Sequence, residues 1–106
     1  MTTDALTSVL AQQVLGWSAA PDRFLMGNRR WIPRWRFAPL TSLEDAFRLL
    51  DAAQPEEFAL SGSGNGEFWV QVRLPGGCGE ARDTSKPRAI AYAVARALGI
   101  ELEEPK

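Results

Sequence analysis

The chain has 106 residues, with 12 Lys and Arg against 13 Asp and Glu, a single Cys and no His. That length suits one small domain with one core, and a formal net charge of -1 excludes a uniformly cationic nucleic-acid binder. The lack of His removes most general-base arrangements and the commonest transition-metal ligand, and one Cys excludes an internal disulfide or a Cys-rich zinc site.

No apolar run approaches the roughly 20 residues that a membrane span needs. The first ten residues lack the cationic start and small-residue cleavage site of a secretory signal. The expectation is a cytoplasmic protein with one α+β domain over 1–100 and an acidic tail over 101–106. No membrane association, cofactor or metal is expected.

In chain order, Leu6, Val9, Leu10, Gln13 and Val14 recur at helical spacing and predict a helix from Asp4 to Leu15. Thr2 or Thr3 is placed to cap it, Asp4 to favour its positive end, and Gly16 to end it, with Trp17 as an apolar latch. Ser18 to Arg23 reads as a turn. Phe24 to Phe37 reads as two extended pieces around Gly27-Asn28. Alternation from Arg30 to Phe37 puts Trp31, Trp35 and Phe37 on one face and Arg30, Arg34 and Arg36 on the other. Pro33 makes the second piece an edge strand or an extended loop.

Leu43, Ala46, Phe47 and Leu50 predict a helix over Ser42–Ala53, with Thr41 and Glu44 as a capping box. Phe58-Ala59-Leu60 and Glu67 to Leu74 form a hairpin around the Gly- and Ser-rich loop 61–66, and Cys78 to Arg82 is a short third strand. Phe68, Val70 and Val72 point one way, Trp69, Gln71 and Arg73 the other. The number of helices favours a sheet covered on both sides, with Trp69 facing a second helical layer. The last helix runs from Ser85 to Leu98, capped among Asp83, Thr84 and Ser85, with Pro87 in its first turn and Gly99 as its stop. Five alanines at alternate positions from Ala89 to Ala97 keep it thin enough to lie close to a sheet. Together these elements predict an α+β, three-layer helix/sheet/helix sandwich around a small, mainly antiparallel sheet.

The densest chemical feature is Arg23, Arg29, Arg30, Arg34 and Arg36 interleaved with Trp31 and Trp35. Arg with exposed aromatics can hold phosphates, stack on bases or hold an acidic protein partner. The plainer expectation is that alternation buries the Trp rings and leaves Arg as a solvated face. Cys78 lacks a base to activate it and reads as a small structural hydrophobe. Gly62, Gly64 and Gly66 lack the following helix of a phosphate loop and read as a hairpin loop. The paired carboxylates Glu44–Asp45, Glu56–Glu57 and Glu103–Glu104 read as solvated surface. No catalytic residue is expected.

The run Phe68 to Arg73, then Gly79-Glu80-Ala81, Ser85-Lys86 and Ala89, Ala93, Ala97-Leu98, resembles the C-terminal half of a double-stranded RNA-binding domain. That resemblance implies phosphate contact through Lys86, with Arg88 beside it. Pro87 and Ile90 stand where further lysines would. A wider resemblance, over nearly the whole chain, is to the phage ABA sandwich domain family. It rests on Leu15-Gly16-Trp17, Trp31-Ile32-Pro33, Phe37-Ala38-Pro39-Leu40-Thr41, Phe68-Trp69-Val70 and the helix entry Asp83-Thr84 through Ala89-Ile90. It implies a helix/sheet/helix sandwich in a phage or bacterial host and no assigned activity. The resulting expectation is a non-catalytic accessory or protein-interaction module of phage or prophage type. The alternative is a nucleic-acid-binding module using Arg29, Arg30, Arg34, Trp35, Arg36, Lys86 and Arg88.

Overall fold

A computed structural model describes residues 3–27 and 29–100. Helix α1 (Thr3–Leu10) runs into a single π turn, Ala11–Leu15, and the two together fill the helix expected there. Gly16 stops it at φ 72, a left-handed conformation that costs glycine nothing. The expected roles of Thr2, Thr3 and Asp4 at the helix start, the Asn28 position of the hairpin turn and the acidic tail 101–106 lie outside what is described.

The chain then forms an antiparallel sheet of β1 (Ser18–Ala19), β2 (Arg23–Gly27) and β3 (Arg30–Pro33), in that order. Ser18 and Ala19, expected in a turn, pair with Leu25 and Phe24. The inward side of this sheet is aromatic. Phe24 and Phe37 are fully buried and meet edge to face at 5.8 Å, and Trp17 closes the cluster at 5.1 Å from Phe37 and 5.9 Å from Phe24.

Helix α2 (Leu43–Ala53) is capped one residue later than expected. Ser42, not Thr41, accepts the Asp45 N–H through its hydroxyl at 3.3 Å. The Asp45 carboxylate reaches back to accept the Ala38 N–H at 2.9 Å, which ties the preceding segment to the helix. Gln54 ends α2 in a left-handed conformation.

The second sheet, β4 (Glu57–Gly62), β5 (Phe68–Leu74) and β6 (Gly77–Asp83), is an antiparallel meander in sequence order. β4 and β6 are longer than the sequence suggests because Gly62 and Gly77 pair with Phe68 and Leu74. Helix α3 (Lys86–Ala97), capped by the Ser85 hydroxyl at 3.4 Å from the Arg88 nitrogen, lies across β5 and β6. Val70, Val72, Leu74 and Ala81 are buried beneath it, and its alanines allow the close approach. At Gly79 a Cβ would overlap the Ala93 carbonyl oxygen and the Ala97 nitrogen, and at Gly77 it would stand 2.8 Å from the Ala97 carbonyl oxygen.

The described residues form an α+β fold of three helices with two small antiparallel sheets. Layering departs from expectation at the β4–β6 sheet. Helix α2 reaches the same side as α3, through Phe47 edge-on to Phe58 at 6.3 Å, and also packs on α3. The opposite side, with Ala59, Gln71, Arg73, Glu80 and Arg82, is exposed, so Trp69 faces no second helical layer and is half-buried among these neighbours. The covering expected there is absent because the π turn after α1 packs on α2 and β1 instead. Among the described residues, no helix is long and apolar enough to cross a membrane.

Candidate functional site

In the β2–β3 hairpin, Leu25 and Trp31 are direct cross-strand partners and therefore share a face. Phe24 and Ile32, also partners, take the opposite face toward the core. Leu25 and Trp31 are consequently turned outward, 44% and 52% exposed. The expectation that the Trp rings are buried is wrong for both. Phe24 and Ile32 fill the inward side, and Trp31 lies one residue out of phase with them.

The expected alternation also ends early. After Pro33, Arg34–Arg36 form a 3-10 turn instead of continuing the strand, so Phe37 no longer shares a side with Trp31. Trp35 is outward like Trp31, at 77% exposure, while Phe37 enters the core. Arg34 turns inward. Its guanidinium donates to the Ala20 carbonyl at 3.0 Å and the Ser8 hydroxyl at 2.6 Å, and lies 4.8 Å from the centre of the Phe24 ring. Arg34 therefore fastens α1, the β1–β2 turn and β3 together, and it is not available for a ligand.

The remaining arginines are outside. Arg23 bonds both carboxylate oxygens of Asp22 at 3.1 and 2.8 Å and lies 4.7 Å over the Trp31 ring. The hydrogen bonds from Arg23 hold the Asp22 carboxyl below its ordinary range, and Asp22 raises the guanidinium in return. Arg36 stacks 5.9 Å from the Trp35 ring. Arg30 is exposed at the hairpin tip, beside Arg29, which is exposed at φ 63. Between the hairpin base and the 3-10 turn runs an open groove of about 540 Å³, with Asp22, Arg34, Trp35 and Thr7 on its walls.

Lys86 and Arg88 do not join this surface. They begin α3 against the β5–β6 pair, whereas the hairpin packs with β1. Lys86 lies 4.9 Å from the Phe68 ring, and Arg88 is 3.9 Å from Asp83 and donates to the Tyr92 hydroxyl at 3.2 Å. Cys78 is exposed, contrary to its reading as a packed hydrophobe, because it points to the open side of the sheet opposite Arg73. Asp45 is buried as the α2 tie and is not solvated surface. The loop after β4 is a hairpin turn, closed by the Ser63 hydroxyl on Asn65 Oδ1 and the Ser63 N–H on the Glu67 carbonyl. Among the described residues no three His, Cys, Asp or Glu side chains gather as metal ligands.

Comparison with solved structures gives a confident match to a phage protein from Bacillus cereus, at a TM-score of 0.77 over 97% of this chain and 93% of that one. The two folds are similar. Their sequences are 18% identical, so the likeness concerns the arrangement of elements and not a shared site. No protein-family profile matches the chain, and no curated protein matches it.

The sequence singled out Trp35 and the arginines, and missed Leu25. A clue was present: Leu25 flanks Phe24, and in a strand adjacent residues take opposite faces. Once one is given to the core, the other must be outside.

Proposed function

We propose that this chain is a non-catalytic, phage-type binding module, and that the outward face of its β2–β3 hairpin holds a protein partner. One observation carries the reading: Leu25 and Trp31 stand side by side in solvent, with Trp35 following them. Exposed aromatics next to arginine are the composition of contact hot spots. Arg23 over Trp31 and Arg36 beside Trp35 prearrange the rings, and Arg36 puts a positive group at the rim, which suits a mixed apolar partner with some acidic groups. The phage assignment is supported by the likeness in fold to the Bacillus cereus phage protein.

A nucleic-acid reading draws on Arg29, Arg30 and Arg36, and on Lys86 at the start of an Ala-rich helix that follows a strand pair. Against it, Arg34 is engaged inside the fold, Arg23 is paired with Asp22, and Arg88 lies by Asp83. Too few free cations share one face to release many counterions. Titration of labelled duplex RNA, duplex DNA and single-stranded DNA at low salt distinguishes the two. The expected result is no binding. Affinity that falls steeply with added salt, and is lost in a triple Arg29→Glu, Arg30→Glu, Arg36→Glu variant, would overturn the protein-partner reading.

A further inference from the structure

The two edges of the β4–β6 sheet differ. In an antiparallel ladder, hydrogen-bonded residues alternate with residues whose N–H and C=O point away. The Ser63 N–H bonds to the Glu67 carbonyl in register with the β4–β5 pairing. Glu57, Ala59 and Ser61 therefore bond to β5, while Phe58, Leu60 and Gly62 turn their backbone groups to the free edge. On β6 the same alternation turns Glu80 outward. There the Arg96 guanidinium donates to the Glu80 carbonyl at 2.6 Å, and Arg82 and Asp83 follow along the strand. The β6 edge is capped and charged, two common defences against pairing with another strand.

The β4 edge has neither defence. From Phe58 to Gly62 it carries no charge, no Pro and no register shift against β5. Among the described residues, no group covers the outward N–H and C=O of Phe58, Leu60 and Gly62. On its inner side Phe58 is 38% exposed against Phe47, and Leu43, one helical turn before Phe47, is 39% exposed.

We propose that β4 is a self-association edge, at which a second copy of this chain pairs antiparallel about a two-fold axis at Ala59. The edge chemistry selects that register. It sets Phe58 opposite Leu60 of the second copy, twice over, and Glu57 opposite Ser61, so apolar meets apolar and no like charges face each other. Moving the axis to Phe58 puts Leu60 against Glu56, and moving it to Leu60 leaves Phe58 facing Gly62. A foreign strand would satisfy the same backbone groups. The Phe58-Ala59-Leu60 run, however, complements itself, and two-fold pairing also brings the two Phe47–Phe58 clusters together on the helical side of a continuous sheet.

Sedimentation equilibrium on the full chain tests this, together with two variants at the axis. Ala59 is exposed, so substitution there leaves the single chain intact, which far-ultraviolet circular dichroism and thermal unfolding verify. The wild-type mass is expected to rise with concentration toward that of two chains. Ala59→Lys sets two ammonium groups face to face and is expected to weaken the association at least about tenfold. Ala59→Cys in a Cys78→Ser background, treated with oxidised glutathione, is expected to form a covalent pair much faster than Gln71→Cys in the same background. A single-chain mass at about 1 mM overturns the proposal. So does a pair indifferent to Ala59→Lys, or cross-linking through Ala59→Cys no faster than through Gln71→Cys.

Discussion

Arg34 and Trp35 are adjacent in the chain and do opposite things. Arg34 makes two charge-assisted hydrogen bonds to groups from separate parts of the chain, each of the kind worth about 1.5–3 kcal/mol when a partner is removed. Trp35 has 77% of its surface in water and holds little of the fold. Arg34→Ala is therefore expected to lower the free energy of unfolding by about 2 kcal/mol, and Trp35→Ala to change it by less than about 0.5 kcal/mol. Denaturant unfolding of the two variants checks both; equal losses would mean that Arg34 and Trp35 do not take opposite sides as described. Alternation read with Trp31 inward puts Trp35 on the core side and Arg34 in solvent. It fails because the inward side of β3 is that of Ile32 and not of Trp31, so the phase is reversed from Trp31 onward, and the tighter turn then brings Phe37 back to the core. Nothing in a two-residue repeat says which of its two sides is the inward one.

At the level of elements, the contact of α3 with β6 depends on small residues from both partners. The alanines of α3 were legible as a sign of close packing, and its boundaries were legible from Ser85, Pro87 and Gly99. What they pack on was not, because Gly77 and Gly79 sit in a run that reads as a turn and a weak strand. Their role appears only when β6 is in register under the helix. Gly79→Ala forces the backbone of α3 away and is expected to cost about 3 kcal/mol, lowering the melting temperature by about 10 °C or more for a domain of this size. Gly76→Ala, which meets open space, is the matched control and is expected to leave the melting temperature nearly unchanged. A small effect at Gly79 would show that the helix does not rest on the sheet at this distance.

For the molecule as a whole, the α+β class and all three helices could be read from periodicity, caps and turn residues. The division of the strands into two sheets could not. Strand pairing within a hairpin is local, whereas the partner of each sheet face is set by long-range packing that one sequence does not encode visibly. That packing leaves three different surfaces: an outward hairpin face bearing Leu25 and Trp31, an open polar sheet face, and an uncapped β4 edge. It also separates the arginines of the hairpin from Lys86 and Arg88, which the sequence allowed to be read together. Arg23, Arg34 and Arg88 are engaged within the fold, and the apolar hairpin face is the surface proposed for recognition. The most direct test of that claim is affinity capture from a lysate of phage-infected cells, with and without nuclease treatment, comparing the wild-type chain with a Leu25→Ser, Trp31→Ala double variant of equal stability. The account predicts one protein retained in stoichiometric amount by the wild type and released by the double variant. Equal retention by both chains, or retention that disappears on nuclease treatment, would contradict it.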